Sequence, residues 1–166
     1  MKISLKEYVE LRKEYPEGQE VLDYYHEEWD NEGAFKKLVD IKGNIPERMY
    51  GFILAIMYGE DTEGVSYDTL KAVFSGISRD KLMSEDELKK YDELPDNITV
   101  FRGTEDRGEE IPRLSWSLKK EVALRFARAH LFKAVIPKER VIAYFSEATD
   151  EEEILALITE GYEIIR

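Results

Sequence analysis

The chain of 166 residues contains no cysteine, so disulfides, thiol catalysis, Cys-ligated zinc and iron–sulfur clusters are all excluded. Histidine is almost as scarce. Only His26 and His130 occur, with no HExxH pattern, so a histidine metal cluster is excluded as well. Long apolar runs are missing too. The longest, Met49 to Tyr58, includes Gly51 and is too short to cross a bilayer. Charges interrupt every apolar stretch of the opening MKISLKEYVELRKEY, which therefore lacks the apolar centre of a signal peptide. A cytoplasmic location is expected. Neither a GxxxxGK[ST] phosphate loop nor a GxGxxG fingerprint is present, and no G-x-S-x-G elbow supports a serine nucleophile. The acidic stretch Tyr58 to Gly64 lacks the ligand order of a calcium loop and reads as a solvated turn.

Acid, in contrast, is plentiful. Asp and Glu number 36 against 24 Lys and Arg, a formal charge of −12. Such a surface repels a phosphate backbone and an anionic membrane, so neither non-specific nucleic-acid binding nor membrane binding is expected. A hydrophobic fraction of 43% is that of a folded chain long enough to bury a core without covalent staples.

The chain reads as helices first and strands afterwards, an α+β class. Residues 1–93 form a helical N-terminal part and residues 94–166 a β-rich core, together one compact domain. Ser4 and Glu7 predict a capping box ahead of the first helix. A second helix spans about Gln19 to Trp29, and Gly43-Asn44 then breaks the chain. Pro46 opens the most apolar helix, Glu47 to Tyr58. Ser66 to Phe74 and a segment capped by Ser84 and Glu87 follow. Tyr24, Tyr25, Tyr50, Phe52 and Tyr58 read as core residues. From Asn97 the pattern becomes β-like: Ile98–Phe101, Leu114–Ser117, Phe132–Ile136, Val141–Phe145, Ile154–Ile158 and Tyr162–Ile165 are strand candidates. Lys119 to His130 reads as a helix between them.

Three pieces of the β half carry chemistry. Val100-Phe101-Arg102-Gly103 is a strand ending in an arginine, whose planar fork suits a phosphate, and a glycine, which lets a ligand approach the backbone. Ser115-Trp116-Ser117 places two hydroxyls on one strand face, where they can orient a carboxylate. Glu151-Glu152-Glu153 runs into the apolar strand Ile154–Leu157. A carboxylate at that strand's mouth can accept a bond from a sugar hydroxyl and stabilise an oxocarbenium-like transition state.

In this order the three pieces resemble the mono-ADP-ribosyltransferase family of the Arg / Ser-x-Ser / Glu-x-Glu type, whose members include binary toxins and phage modifying enzymes. The resemblance covers roughly Asn97 to Ile158. It implies a mixed β core of two packed sheets that binds NAD as co-substrate and needs no metal. It also implies transfer of ADP-ribose to a side chain of a protein acceptor, with NAD glycohydrolysis as a side activity. By match, Arg102 contacts a phosphate of NAD and the Gly103 backbone holds the nicotinamide carboxamide. Ser115 orients the catalytic glutamate and Ser117 supports the site. Trp116, where many members have threonine, forms part of the cofactor pocket or packs under the sheet. Glu153 is the catalytic glutamate, and Glu151 is the first glutamate of the pair that often accompanies arginine as acceptor. Glu152 is the alternative to Glu153; strand alternation favours Glu153, since Glu151 and Glu153 then share one side. A monomer is expected. A second reading is an inactive relative whose acidic face engages a basic partner.

Overall fold

The computed structural model describes residues 1–105, 114–147 and 150–166. The chain divides into two compact units, Met1–Glu85 and Asp86–Arg166. The class is α+β: among the described residues there are seven α-helices and one six-stranded antiparallel sheet. Among the described residues no helix is long and apolar enough to cross a membrane.

The first unit holds α1 (Leu5–Glu14), α2 (Pro16–Glu27), α3 (Asn31–Asp40), α4 (Glu47–Glu60) and α5 (Tyr67–Phe74). Ser4 and Glu7 form the expected capping box, each satisfying the other's backbone donor. Helix α4 is the apolar centre of this unit. Met49, Ile53, Leu54 and Met57 are fully buried together with Phe35 and Leu38 of α3, and each such side chain contributes about 1.5–3 kcal/mol by leaving water. The Tyr25 hydroxyl of α2 donates to the carbonyls of Met57 and Asp61 at the end of α4 (3.1 and 2.9 Å), satisfying acceptors that a helix terminus leaves open. Pro46 serves as the N-cap of α4, one residue before its first turn. Tyr25, Tyr50 and Phe52 are core residues, and Tyr24 and Tyr58 are half-buried.

Helix α3 has no counterpart in the sequence reading. Gly33 in its first turn hides the pattern, and its stability comes from neighbours. Asp30 caps it by accepting from Gly33 N at 2.9 Å. Glu32 accepts from the backbone N–H and hydroxyl of Ser66 and from Thr69 Oγ1, at 2.8–3.1 Å, at the start of α5. These bonds, that from Ser66 N foremost, lower the Glu32 pKa from 4.5 to about 2.

The second unit contains α6 (Glu85–Glu93, all but its first residue) and the whole sheet: β1 (Asn97–Thr104), β2 (Ser115–Ser117), β3 (His130–Pro137), β4 (Val141–Phe145), β5 (Glu153–Ala156) and β6 (Tyr162–Ile164). Helix α6 thus groups with the strands, although its sequence continues the helical part up to residue 93. The reason is polar. The buried Glu87 carboxylate accepts from the N–H groups of Ser146 and Glu147. The Tyr91 hydroxyl donates to the Lys138 carbonyl, and Lys138 Nζ donates to the carbonyls of Asp92 and Leu94.

The strand order is β4-β5-β2-β1-β3-β6, and every pairing is antiparallel. The described strands are joined by hydrogen bonds into one antiparallel sheet. Its joint is narrow, however. β1 pairs with β3 along its full length, Asn97↔Pro137 to Thr104↔His130, whereas among the described residues β1 meets β2 at the single pair Phe101↔Ser117. Two three-stranded halves are thus hinged on one residue pair. Helix α7 (Lys120–Phe126) follows β2 and is shorter than its sequence suggests, because His130 already belongs to β3.

The lowered Glu32 pKa fixes the sign of a pH effect. A carboxyl held below its unfolded value stabilises the fold above that value and loses the contribution as pH falls toward the folded pKa. Glu32→Gln is expected to cost about 1 kcal/mol near neutrality. Thermal unfolding followed by circular dichroism should show the wild-type advantage shrinking as pH drops from 4.5 toward about 2.

Candidate functional site

The register between β2 and β5 brings the serines and glutamates together. Ser117 lies opposite Glu153, Trp116 opposite Ile154 and Ser115 opposite Leu155. Ser115, Ser117 and Glu153 therefore leave one face of the sheet, and Trp116 and Ile154 leave the other. Ser115 sits diagonally across from Glu153, within reach of a long side chain. Its hydroxyl donates to Glu153 Oε1 at 2.6 Å, the short distance typical of a hydroxyl on a carboxylate.

Ser117 supports the turn that leads into β5. Its hydroxyl donates to the Glu151 carbonyl at 2.7 Å and accepts from Lys119 N at 3.0 Å. Leu118 N donates to the Glu152 carbonyl and Lys119 Nζ to the Asp150 carbonyl, both at 3.1 Å. Glu152 itself adopts φ +46°, in the left-handed region. For a residue with a Cβ this costs about 1–2 kcal/mol, and the bonds from Ser117, Leu118 and Lys119 hold the turn in place. Its side chain is 3.8 Å from Lys119 Nζ. The turn delivers Glu153, not Glu152, to Ser115.

Arg102 reaches the site across the open side of the hinge. Beyond the Phe101↔Ser117 pair, β1 and β2 share no further register pair among the described residues, and Arg102 Nη1 donates to the Ser115 carbonyl at 2.8 Å. The site includes a cleft of about 380 Å³, inside the roughly 300–1,000 Å³ typical of small-molecule sites. Arg102, Gly103, Ser115, Ser117, Glu151 and Glu153 all border it. Trp116 borders it as well, but its side chain is only 2% exposed and belongs to the core.

Gly103 has a reason to be glycine that sequence reading missed. A Cβ there would lie 2.0 Å from the Ala123 carbonyl oxygen and 2.6 Å from Ala127 N, so the backbone that approaches it is that of α7. Ala123, Ala127 and Leu131 pack beside it with Phe101 against them. Phe101, Val122, Ala123 and Phe126 supply the apolar wall of the cleft. For Val122, Ala123 and Phe126 the only sequence signal is the apolar spacing of α7, which says that a face is covered and not that it borders a site. Thr104, two residues after Arg102, also lines the cleft. His130 lies in β3 edge-on to Phe132, and His26 pairs with Glu60 in the first unit. Among the described residues no group of three His, Asp or Glu side chains is arranged to hold a metal ion.

Chemically, the cleft combines a guanidinium, a carboxylate held by a hydroxyl, and an aromatic wall. The carboxylate can stabilise developing positive charge, the guanidinium can stabilise negative charge, and the wall excludes water. Comparison of the chain with protein-family models, with curated proteins and with solved structures finds no match.

The tight seat of Gly103 under α7 predicts that Gly103→Ala destabilises the protein by about 3 kcal/mol, at the upper end of overpacking costs. Gly43, with nothing within 4 Å of its would-be Cβ, is the control. Gly43→Ala should change urea unfolding by less than about 1 kcal/mol.

Proposed function

We propose that the protein is an NAD-dependent mono-ADP-ribosyltransferase with an ADP-ribosyltransferase-like core, which breaks the nicotinamide–ribose bond and transfers ADP-ribose to a protein side chain. The observation that carries this reading is the 2.6 Å contact from Ser115 Oγ to Glu153 Oε1 in a cleft that also presents Arg102. The cleft's volume and its mixture of polar and aromatic walls suit part of a dinucleotide, with the remainder extending into solvent.

In this reading Arg102 neutralises a phosphate of NAD, and its bond to the Ser115 carbonyl sets the direction of the guanidinium. Ser115 fixes the Glu153 rotamer in advance, so no reorganisation is needed as charge develops. The bond from nicotinamide nitrogen to the ribose anomeric carbon breaks, and nicotinamide leaves with the electron pair. Glu153 stabilises the positive charge left on the ribose. An acceptor nucleophile then bonds to the anomeric carbon and gives up a proton to solvent water. Glu151, at the cleft edge, is placed to orient that acceptor, an arginine guanidinium being the best match for a carboxylate. Water in the acceptor's place gives NAD hydrolysis.

Release of nicotinamide from labelled NAD, together with transfer of label to proteins of a cell lysate, tests the proposal. Glu153→Gln should slow release by at least about a hundredfold, the usual scale for losing a preorganised charge-stabilising group. Ser115→Ala should slow it about tenfold by removing the hydroxyl bond that orients the carboxylate. Glu152→Gln should remain within about threefold of wild type, because the Glu152 side chain faces Lys119. An inert wild type, or equal turnover by Glu153→Gln, sinks the reading.

A further inference from the structure

Thr104 ends β1 and follows Arg102 by two residues, so both side chains leave the same side of the strand. It borders the cleft and is 2% exposed. Its backbone is committed, since the Thr104 carbonyl accepts from Ala129 N at 2.8 Å. Its hydroxyl is not: Thr104 Oγ1 is buried and has no hydrogen-bond partner among the described residues. Buried hydroxyls are nearly always paired, and a valine would fill the same volume without the cost of stripping water from a polar atom. A donor with no partner among the described residues, on a residue that borders the cleft, is available to a group that enters the cleft.

We infer that Thr104 is a second phosphate-binding residue, whose hydroxyl donates to an oxygen of the diphosphate that Arg102 neutralises. The inference rests on the NAD reading above. Residues two apart on a strand are separated by roughly 6.6 Å, so one diphosphate can take a bond from each. The hydroxyl supplies direction where the guanidinium supplies charge. It thereby fixes which way the dinucleotide lies along β1.

Calorimetric titration of NAD and of ADP-ribose into wild type, Thr104→Val and Thr104→Ser tests this. Thr104→Val should weaken both ligands by about tenfold and equally, the effect of losing one hydrogen bond to a charged acceptor. Thr104→Ser should bind both within about threefold of wild type. The ligand-free Thr104→Val protein should melt at or above the wild-type temperature, because an unpaired buried hydroxyl has been removed. Unchanged affinities in Thr104→Val overturn the inference. So does a loss confined to NAD, which would put the hydroxyl at the nicotinamide end, and so does a lower melting temperature, which would mean the hydroxyl is paired within the chain. A wild type that binds neither ligand overturns the proposed function and this inference with it. A wild type that binds both while Thr104→Val is unaffected overturns this inference alone.

Discussion

The pairing of β2 with β5 is the constraint on which the site depends. With Ser117 opposite Glu153, the glutamate side chain falls diagonally beside Ser115. A slip of one residue would turn Glu153 to the other face and bring an apolar side chain to the serine. Two unlike forces hold the register. On one face Trp116 and Ile154 are buried in the core. On the other, Ser117 and the backbone of Leu118 bind the carbonyls of Glu151 and Glu152. The left-handed turn at Glu152 is the local cost of ending the loop so abruptly at the first residue of β5.

The cleft is a consequence of the opposite condition, a pairing that stops early. Among the described residues β1 and β2 meet at one register pair. A complete ladder there would have closed the gap through which Arg102 reaches the Ser115 carbonyl. Helix α7 closes one side by seating its backbone against Gly103, which only a residue without Cβ allows. The same strand therefore contributes a packing contact at Gly103 and a polar group at each neighbouring position, Arg102 and Thr104.

Much of the local structure was legible in the residues. The capping box at Ser4, the apolar helix around Met49–Met57 and most strand positions follow from spacing and β-branched content. Helix α3 was not, because Gly33 and short length weaken the pattern, and the bonds from Ser66 and Thr69 to Glu32 come from residues more than thirty positions away. The end of α7 was misplaced for a related reason. Ala127 to His130 has no helix breaker, and the chain leaves the helix because His130 pairs with Thr104. The choice between Glu152 and Glu153 also illustrates the difference. Strand alternation favoured Glu153, yet Glu152 is not in a strand at all, and its backbone twist is what aims the next residue.

By itself the sequence determined the class of the fold, the absence of thiol chemistry, and the identity of the polar groups at three strand ends. These depend on composition and on periodicities of two and 3.6 residues, which are local. Tertiary structure alone decided that the strands form one sheet with a narrow joint and that α6 stands with the strands. It also decided that Trp116 and Thr104, both at the border of the cleft, are almost wholly buried. Those outcomes depend on register and on which backbone approaches which, and distances between residues far apart in the chain are set only when the whole sheet has paired.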